Sequence, residues 1–218
     1  MSENHQRLTS PAFDRNGRPI LGVLRRVLGD RIGDVLEIGS GPGQHVAAFA
    51  AALPGLVWWP SDPDPVLRAS IGAWRETCGC SNLMPPVALD AAEPDWPLGR
   101  PGNPPDTDLA AMLCINVLHI APWAVAEGVL RAAGRHLAPD GRLILYGPYT
   151  RDGVHTAPSN AAFDAALRAQ DPAWGVRDTA DIAALAEASG LVIAETVDLP
   201  SNNICLIICR TKPRPGPL

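Results

Sequence analysis

The stretch Glu37–His45, EIGSGPGQH, sets three glycines at alternate positions and opens on a carboxylate. Glycine lets the backbone take positive φ and lets a ligand approach closely, so such a run between a strand and a helix marks a turn built around a ligand. The flanks have that character. "DVLEIG" is a short apolar strand, and Gln44–Leu53 reads as a helix stopped by Pro54 and Gly55. A dinucleotide turn would space its glycines as G-x-G-x-x-G and offer a helix N-terminus to a pyrophosphate. Here Gln44 stands where the third glycine of that pattern belongs. Glu37 also sits awkwardly beside a pyrophosphate and suits a cationic amino-acid group.

Outward from this turn, strand-like and helix-like segments alternate. Ile20–Leu28 precedes it as an amphipathic helix. "LVWWPSD" reads as a second strand, Pro65–Thr77 as a helix, and "PPVALDA" as a third strand. A Pro- and Gly-rich loop, Ala92–Asp108, leads to a fourth strand, "DLAAMLCIN". Ala124–Leu137 is then a helix and "RLILYGPY" a fifth strand. Helices over Ala161–Ala169 and Ala180–Ser189 follow, and then two strands, "LVIAETVDL" and "NICLIICR". Near-continuous apolar strands alternating with helices predict an α/β, Rossmann-like, mostly parallel seven-stranded sheet with helices on both faces. The late strand pair with its short join predicts an antiparallel edge strand. In such a sheet ligands collect at the carboxyl ends of the strands, where the glycine turn lies.

The pattern E-x-G-x-G-x-G resembles the first motif of class I S-adenosylmethionine (SAM) methyltransferases. Asp62 lies 62 − 37 = 25 residues beyond Glu37, at the end of the second strand, the place for an acid that grips ribose hydroxyls. Asp90 closes the third strand and is suited to meet an adenine amino group. Asn116 ends the fourth and faces the same crevice. The candidate cofactor residues are therefore Glu37, Gly39, Gly41, Gly43, Asp62, Asp90 and Asn116. The alternative for this set is a structural turn with solvated acids.

A narrower likeness covers roughly Ala12 to Arg210. "DRNGRPIL", "LEIGSGPGQH", "WWPSD", "CINVLHIAPW", "LYGPY", "SNAAFDAALRAQDPAWGVRD" and "NNICLIICR" resemble the methyltransferase-like protein 26 family. The resemblance implies the methyltransferase fold and SAM as cofactor, and it names no acceptor. Pro42 and Asp14 depart from the family's usual Thr or Ser and Glu. Pro42 removes one N–H from the turn. Carried over residue by residue, the family motifs make Arg15 and Asn16 candidates to close over the cofactor, with a helix-entry turn as the alternative.

Methyl transfer from a sulfonium is an in-line displacement, so the protein must align the acceptor and exclude water. Catalytic candidates should follow the fourth and fifth strands. His119 is one, either as a general base or as a side chain that fixes the loop. Tyr149, beyond the fifth strand, is the second and is preferred to Tyr146. His155, Ser159 and Asn160 lie in a polar loop over the same end, where they can form a lid or a substrate contact, although Ser159 or Asn160 is rather expected to cap the helix that follows. Arg177 is expected to bind a substrate carboxylate or to pair with Asp178. Trp58 and Trp59 point to opposite faces of their strand.

The 218 residues carry a net charge of −5 and no run of Lys or Arg, so nothing predicts nucleic-acid or anionic-membrane binding. No stretch is long and apolar enough for a membrane span, and the N-terminus has no signal-peptide pattern. Five cysteines suggest reduced thiols in a cytoplasmic protein. "CGC" at Cys78–Cys80 has no second ligand cluster, so no metal site is predicted. The expectation is a single domain over residues 1–218, with 1–14 and 211–218 as flexible ends, and a small-molecule acceptor. Two other readings stand beside it: a nicotinamide-dependent oxidoreductase, and a non-catalytic SAM-binding regulatory subunit.

Overall fold

The computed structural model describes residues 7–211. In chain order its strands are β1 (Gly33–Ile38), β2 (Leu56–Ser61), β3 (Leu109–Ile115), β4 (Leu137–Gly147), β5 (Tyr149–Arg151), β6 (Val154–His155), β7 (Arg177–Asp178), β8 (Leu191–Leu199) and β9 (Asn203–Arg210). The helices are α1 (Pro11–Leu28), α2 (Gln44–Ala52), α3 (Pro65–Cys78), α4 (Trp123–His136), α5 (Pro158–Gln170) and α6 (Thr179–Ala188). The main sheet has the order β2-β1-β3-β4-β9-β8. The first four strands are parallel, and β9 runs antiparallel to both of its neighbours. The reversed strand is thus one in from the edge rather than at it.

Both faces of the sheet are covered, and successive residues of its strands serve opposite cores. Val35, Leu113 and Ile144 pack with Leu24 of α1, Phe49 of α2 and Ile71 of α3. Leu36, Met112 and Leu145 pack with Val129 and Leu130 of α4 and Ile182 of α6. Trp58 belongs to the first core and Trp59 to the second.

The main sheet has six strands and not the seven expected. The segment around Val87 runs beside β2 and meets it only at two isolated bridges, Trp58 with Leu83 and Ser61 with Val87. Between these bridges β2 advances three residues and the other segment four, at Pro85 and Pro86. Neither proline has an N–H to give a ladder, so continuous pairing fails there. Backbone bonds from Met84 to Trp58, from Val87 to Pro60 and from Asp62 to Val87 hold the segment in place.

Proline also ends the fifth expected strand early. Pro148 separates β4 from β5, and β5 joins a separate small sheet of order β6-β5-β7. The helix expected from Ile20 begins instead at Pro11. Ser10 caps it by accepting a hydrogen bond from the Ala12 N–H, and Pro11 sits in its first turn. The helix runs through Pro19. Residues 11–14, expected within a flexible end, are therefore helical, whereas residues 1–6 and 212–218 of the expected ends lie outside the described residues. Leu8 is stitched to α3: its N–H donates to Ser70 Oγ (2.9 Å), and Trp74 Nε1 donates to its carbonyl (2.9 Å). Among the described residues no helix is long and apolar enough to cross a membrane.

Candidate active site

The glycine turn leaves β1 and enters α2, and its three glycines all have positive φ: 65° at Gly39, 56° at Gly41 and 97° at Gly43. They do different work. A Cβ on Gly43 would lie 2.9 Å from Ile71 Cα, so this glycine lets α2 start against α3. A Cβ on Gly41 would meet nothing within 4 Å and would project into open space. That space is a cavity of about 380 Å³ at the carboxyl ends of β1, β2 and β3. Gly39 and Gly41 line it, but Gly43 does not.

Three carboxylates face this cavity, from Glu37, Asp62 and Asp90. Glu37 is buried, and its Oε2 has no hydrogen-bond partner. Burial pushes its pKa up to about 8, with Ser40 opposing by a hydrogen bond and the Asp62 charge adding to the rise. Asp62 bridges two segments. Its Oδ2 accepts from the Gly41 N–H (3.0 Å) and its Oδ1 from the Asp64 N–H (3.0 Å). Burial raises its pKa against these bonds. Asp90 is exposed and accepts from the Ala92 N–H (2.9 Å). Apolar walls come from Leu67, Leu89, Ile115 and Val125.

A second cavity, of about 330 Å³, adjoins the first, and Ala12, Asn116 and Ile120 line both. Arg15 and Asn16 of α1 line this second cavity and not the first. The buried Asn16 Oδ1 lies 2.8 Å from His45 Nε2. His45 lines the first cavity, and burial pushes its pKa down to about 4, so the neutral ring donates this bond. Gln44 reaches the Ser10 N–H. The first half of α1 is thereby tied across the start of α2. Asn116 ends β3 with φ 58°, and its N–H donates to the Tyr146 carbonyl.

His119 lies in a short 3₁₀ turn after β3 and lines the second cavity. Its ring meets Phe163 edge-on at 5.4 Å and packs on Gly147, where a Cβ would be 3.2 Å from Nδ1. Burial pushes its pKa down to about 4, helped by the Arg177 charge, so the imidazole is neutral at pH 7. Arg177 clamps this turn. Its Nε donates to the Leu118 carbonyl (2.9 Å) and its Nη2 to the Ala121 carbonyl (2.6 Å), while Gly175 N–H donates to the His119 carbonyl. It is not paired with Asp178, which caps α6 and accepts from Thr150 Oγ1.

The tyrosines exchange places relative to expectation. Tyr146, in β4, lines the second cavity. Its phenol is raised by burial against hydrogen bonds from Asn16 and Asn203. Tyr149 lines neither cavity. Beyond Pro148 it turns into the core beside Cys114, where burial raises its pKa well above the ordinary value. Asn160 is not a helix cap, because α5 begins at Pro158 behind Ala157. It is buried in the first turn, donates to Thr156 Oγ1 and the Asn202 carbonyl, and lines the second cavity with Asn203. The signal for it was its place in the polar stretch DGVHTAPSN beyond the fifth strand. Among the described residues no group of three His, Cys, Asp or Glu side chains is placed to hold a metal.

The fold is similar to that of an O-methyltransferase family protein from Burkholderia thailandensis, with 18% identity and a TM-score of 0.76 over 92% of this chain and 57% of that one. It is similar to CalO1, a methyltransferase in calicheamicin biosynthesis solved in its SAH-bound form, with 18% identity and a TM-score of 0.68 over 89% and 54%. It is also similar to the mitomycin 7-O-methyltransferase MmcR, with 22% identity and a TM-score of 0.67 over 83% and 49%. The chain spans about half the length of these solved structures, and at such identities the likeness establishes the Rossmann-like α/β fold. The family described as "Protein of unknown function (DUF938)" matches residues 7–210.

Proposed function

The chain belongs to the DUF938 family, and we propose that it is a SAM-dependent methyltransferase acting on a small molecule. The observation that carries this reading is the unpartnered, buried Oε2 of Glu37 in a cavity lined by three carboxylates. A cavity with two aspartates and a buried Glu37 that ionises only beside a cation suits a cationic group better than a pyrophosphate, which disfavours a nicotinamide dinucleotide. The donor set fits SAM, whose methionine part carries an ammonium and whose sulfur is a sulfonium. Glu37 would meet the ammonium, with Gly39 and Gly41 allowing close approach of the backbone. Asp62 would accept from the ribose hydroxyls, Asp90 would meet the adenine amino group, and Asn116 would stand between the two cavities. When bound, SAM supplies an electrophilic methyl group.

The chain's own part is alignment and exclusion of water. In this reading the second cavity receives the acceptor, with His119 and Tyr146 as the polar side chains nearest its nucleophile. A neutral His119 accepts a proton from an acceptor that loses one late. The names of the structural neighbours support the reading, as do the motifs shared with the methyltransferase-like protein 26 family, to which we assign the chain on that ground. One continuous main sheet covered on both faces supports a single domain, and five free cysteines support a reducing compartment such as the cytoplasm. Calorimetric titration with SAM and with S-adenosylhomocysteine tests the proposal. One-site binding of both supports it, and no binding at millimolar SAM overturns it.

A further inference from the structure

The two adjoining cavities differ in charge. The first carries three carboxylates and no Lys or Arg. The second carries Arg15 and, among the described residues, no Asp or Glu. Its other polar lining is uncharged: asparagine amides, a serine hydroxyl, the Tyr146 phenol and the buried His119 ring. A cationic lining of this kind stands out in a chain whose net charge is −5.

We infer that the second cavity selects a small carboxylic acid, held through its carboxylate by Arg15. The inference rests on the methyltransferase reading for the role of the site, but the charge of the lining stands apart from it. A guanidinium presents its N–H groups as a planar fork that matches a carboxylate, and it stays charged at every working pH. Arg15 is exposed and lines the cavity from the same half of α1 that carries Ala12 and Asn16. Asn116 and Tyr146, where strands β3 and β4 end, line the same cavity and can receive the remainder of the acid. An anion at Arg15 also complements the first cavity. An acid and a sulfonium in adjoining chambers attract one another, so each favours the binding of its neighbour.

The test uses 4-fluorobenzoate and its uncharged partner 4-fluorobenzamide as probes, followed by fluorine NMR line-broadening on the full chain in the presence of S-adenosylhomocysteine. A wider set of acid and amide pairs follows the same protocol. The expected result is binding of acids at least tenfold tighter than of their amides. That preference is lost in Arg15→Gln and kept in Arg18→Gln, an exposed arginine one turn further along α1 that lines neither cavity. Equal binding of acids and amides, acid binding that survives Arg15→Gln, or no binding by any acid in the set overturns the inference. A parallel calorimetric titration with SAM separates the two claims. SAM binding without acid selectivity removes only this inference, whereas acid selectivity without SAM binding removes the methyltransferase reading and leaves an acid-binding cavity.

Discussion

Replacing Glu37 with glutamine tests the electrostatics of the first cavity directly. Glu37 has its pKa raised from 4.5 to about 8 by burial. Below pH 4.5 the folded and unfolded chains both hold the proton. Between 4.5 and 8 the folded chain keeps a proton that the unfolded chain has released. Stability therefore falls as pH rises through this window and levels off above it. The slope is about 1.4 kcal/mol per pH unit, so by pH 7 the wild type has lost roughly 3 kcal/mol relative to its value near pH 4. Glu37→Gln removes this dependence. The new amide also needs hydrogen-bond partners in the buried site, and leaving them unmade costs about 1–3 kcal/mol at every pH. The slope, not the level, is thus the diagnostic quantity. Urea denaturation of both proteins from pH 5 to 8 gives it. The difference in unfolding free energy, variant minus wild type, should climb by about 1.4 kcal/mol per pH unit up to pH 8. A difference that stays flat to within about 0.5 kcal/mol refutes the assignment of a buried, protonated glutamate. If SAM's ammonium is the intended partner, its binding at pH 7 ionises Glu37. Close to one proton is then released, seen as a binding enthalpy that depends on the buffer's ionisation heat.

The glycine turn separates fold from affinity. Gly43→Ala forces a Cβ onto the α3 backbone and should lower the unfolding free energy by about 2 kcal/mol or more, while Gly41→Ala should cost only about 1 kcal/mol and weaken SAM binding in calorimetry. Asp62→Ala leaves the Gly41 and Asp64 N–H groups without their acceptor, so it should lower the melting temperature and weaken SAM at least tenfold (about 1.4 kcal/mol), with Asp62→Asn recovering part of both. Unchanged affinity in Asp62→Ala would remove this residue from the cofactor site. Arg177→Gln removes a positive charge that holds the His119 pKa down, so the imidazole titration followed by NMR should move up from about 4, though burial keeps it below the ordinary 6.5. The same variant frees the carbonyls of Leu118 and Ala121, and acceptor KM should rise more than SAM Kd.

Much of the fold was legible because its strands are apolar on both faces and its helices are not. EIGSGPGQH marked the turn because only glycine supplies three left-handed residues in five. Prolines account for most of what was misread. Pro19 hid the polar first half of α1, whose burial depends on contacts such as Asn16 with His45. Pro85 and Pro86 stood in a segment whose apolar pattern is that of a strand, and the missing N–H groups decided otherwise. Pro148 moved Tyr149 into another sheet and left Tyr146 at the cavity. The acids that face the first cavity were found because Glu37 stands near the end of β1, Asp62 follows β2 and Asp90 closes the strand-like segment beside it. The second cavity was not read as a unit, since its lining comes from α1, the loop after β3, β4, α5 and the β8–β9 turn. Local periodicity says nothing about such long-range assembly.

The proline-interrupted segment beside β2 has a meaning for the chain in a crowded solution. An open strand at the end of a sheet is a template on which another chain can add its own, the first step toward aggregation. Here the β2 side is covered by a segment whose prolines withhold the donors a newcomer would need. The other outer strand, β8, is mostly exposed, but a register shift between Ile193 and Glu195 breaks its pairing with β9, and Glu195 and Asp198 along it are engaged by Arg26 and Arg151. Irregular geometry and charge thus blunt one end of the sheet and missing hydrogen-bond donors the other, so neither end is fitted to grow by strand addition.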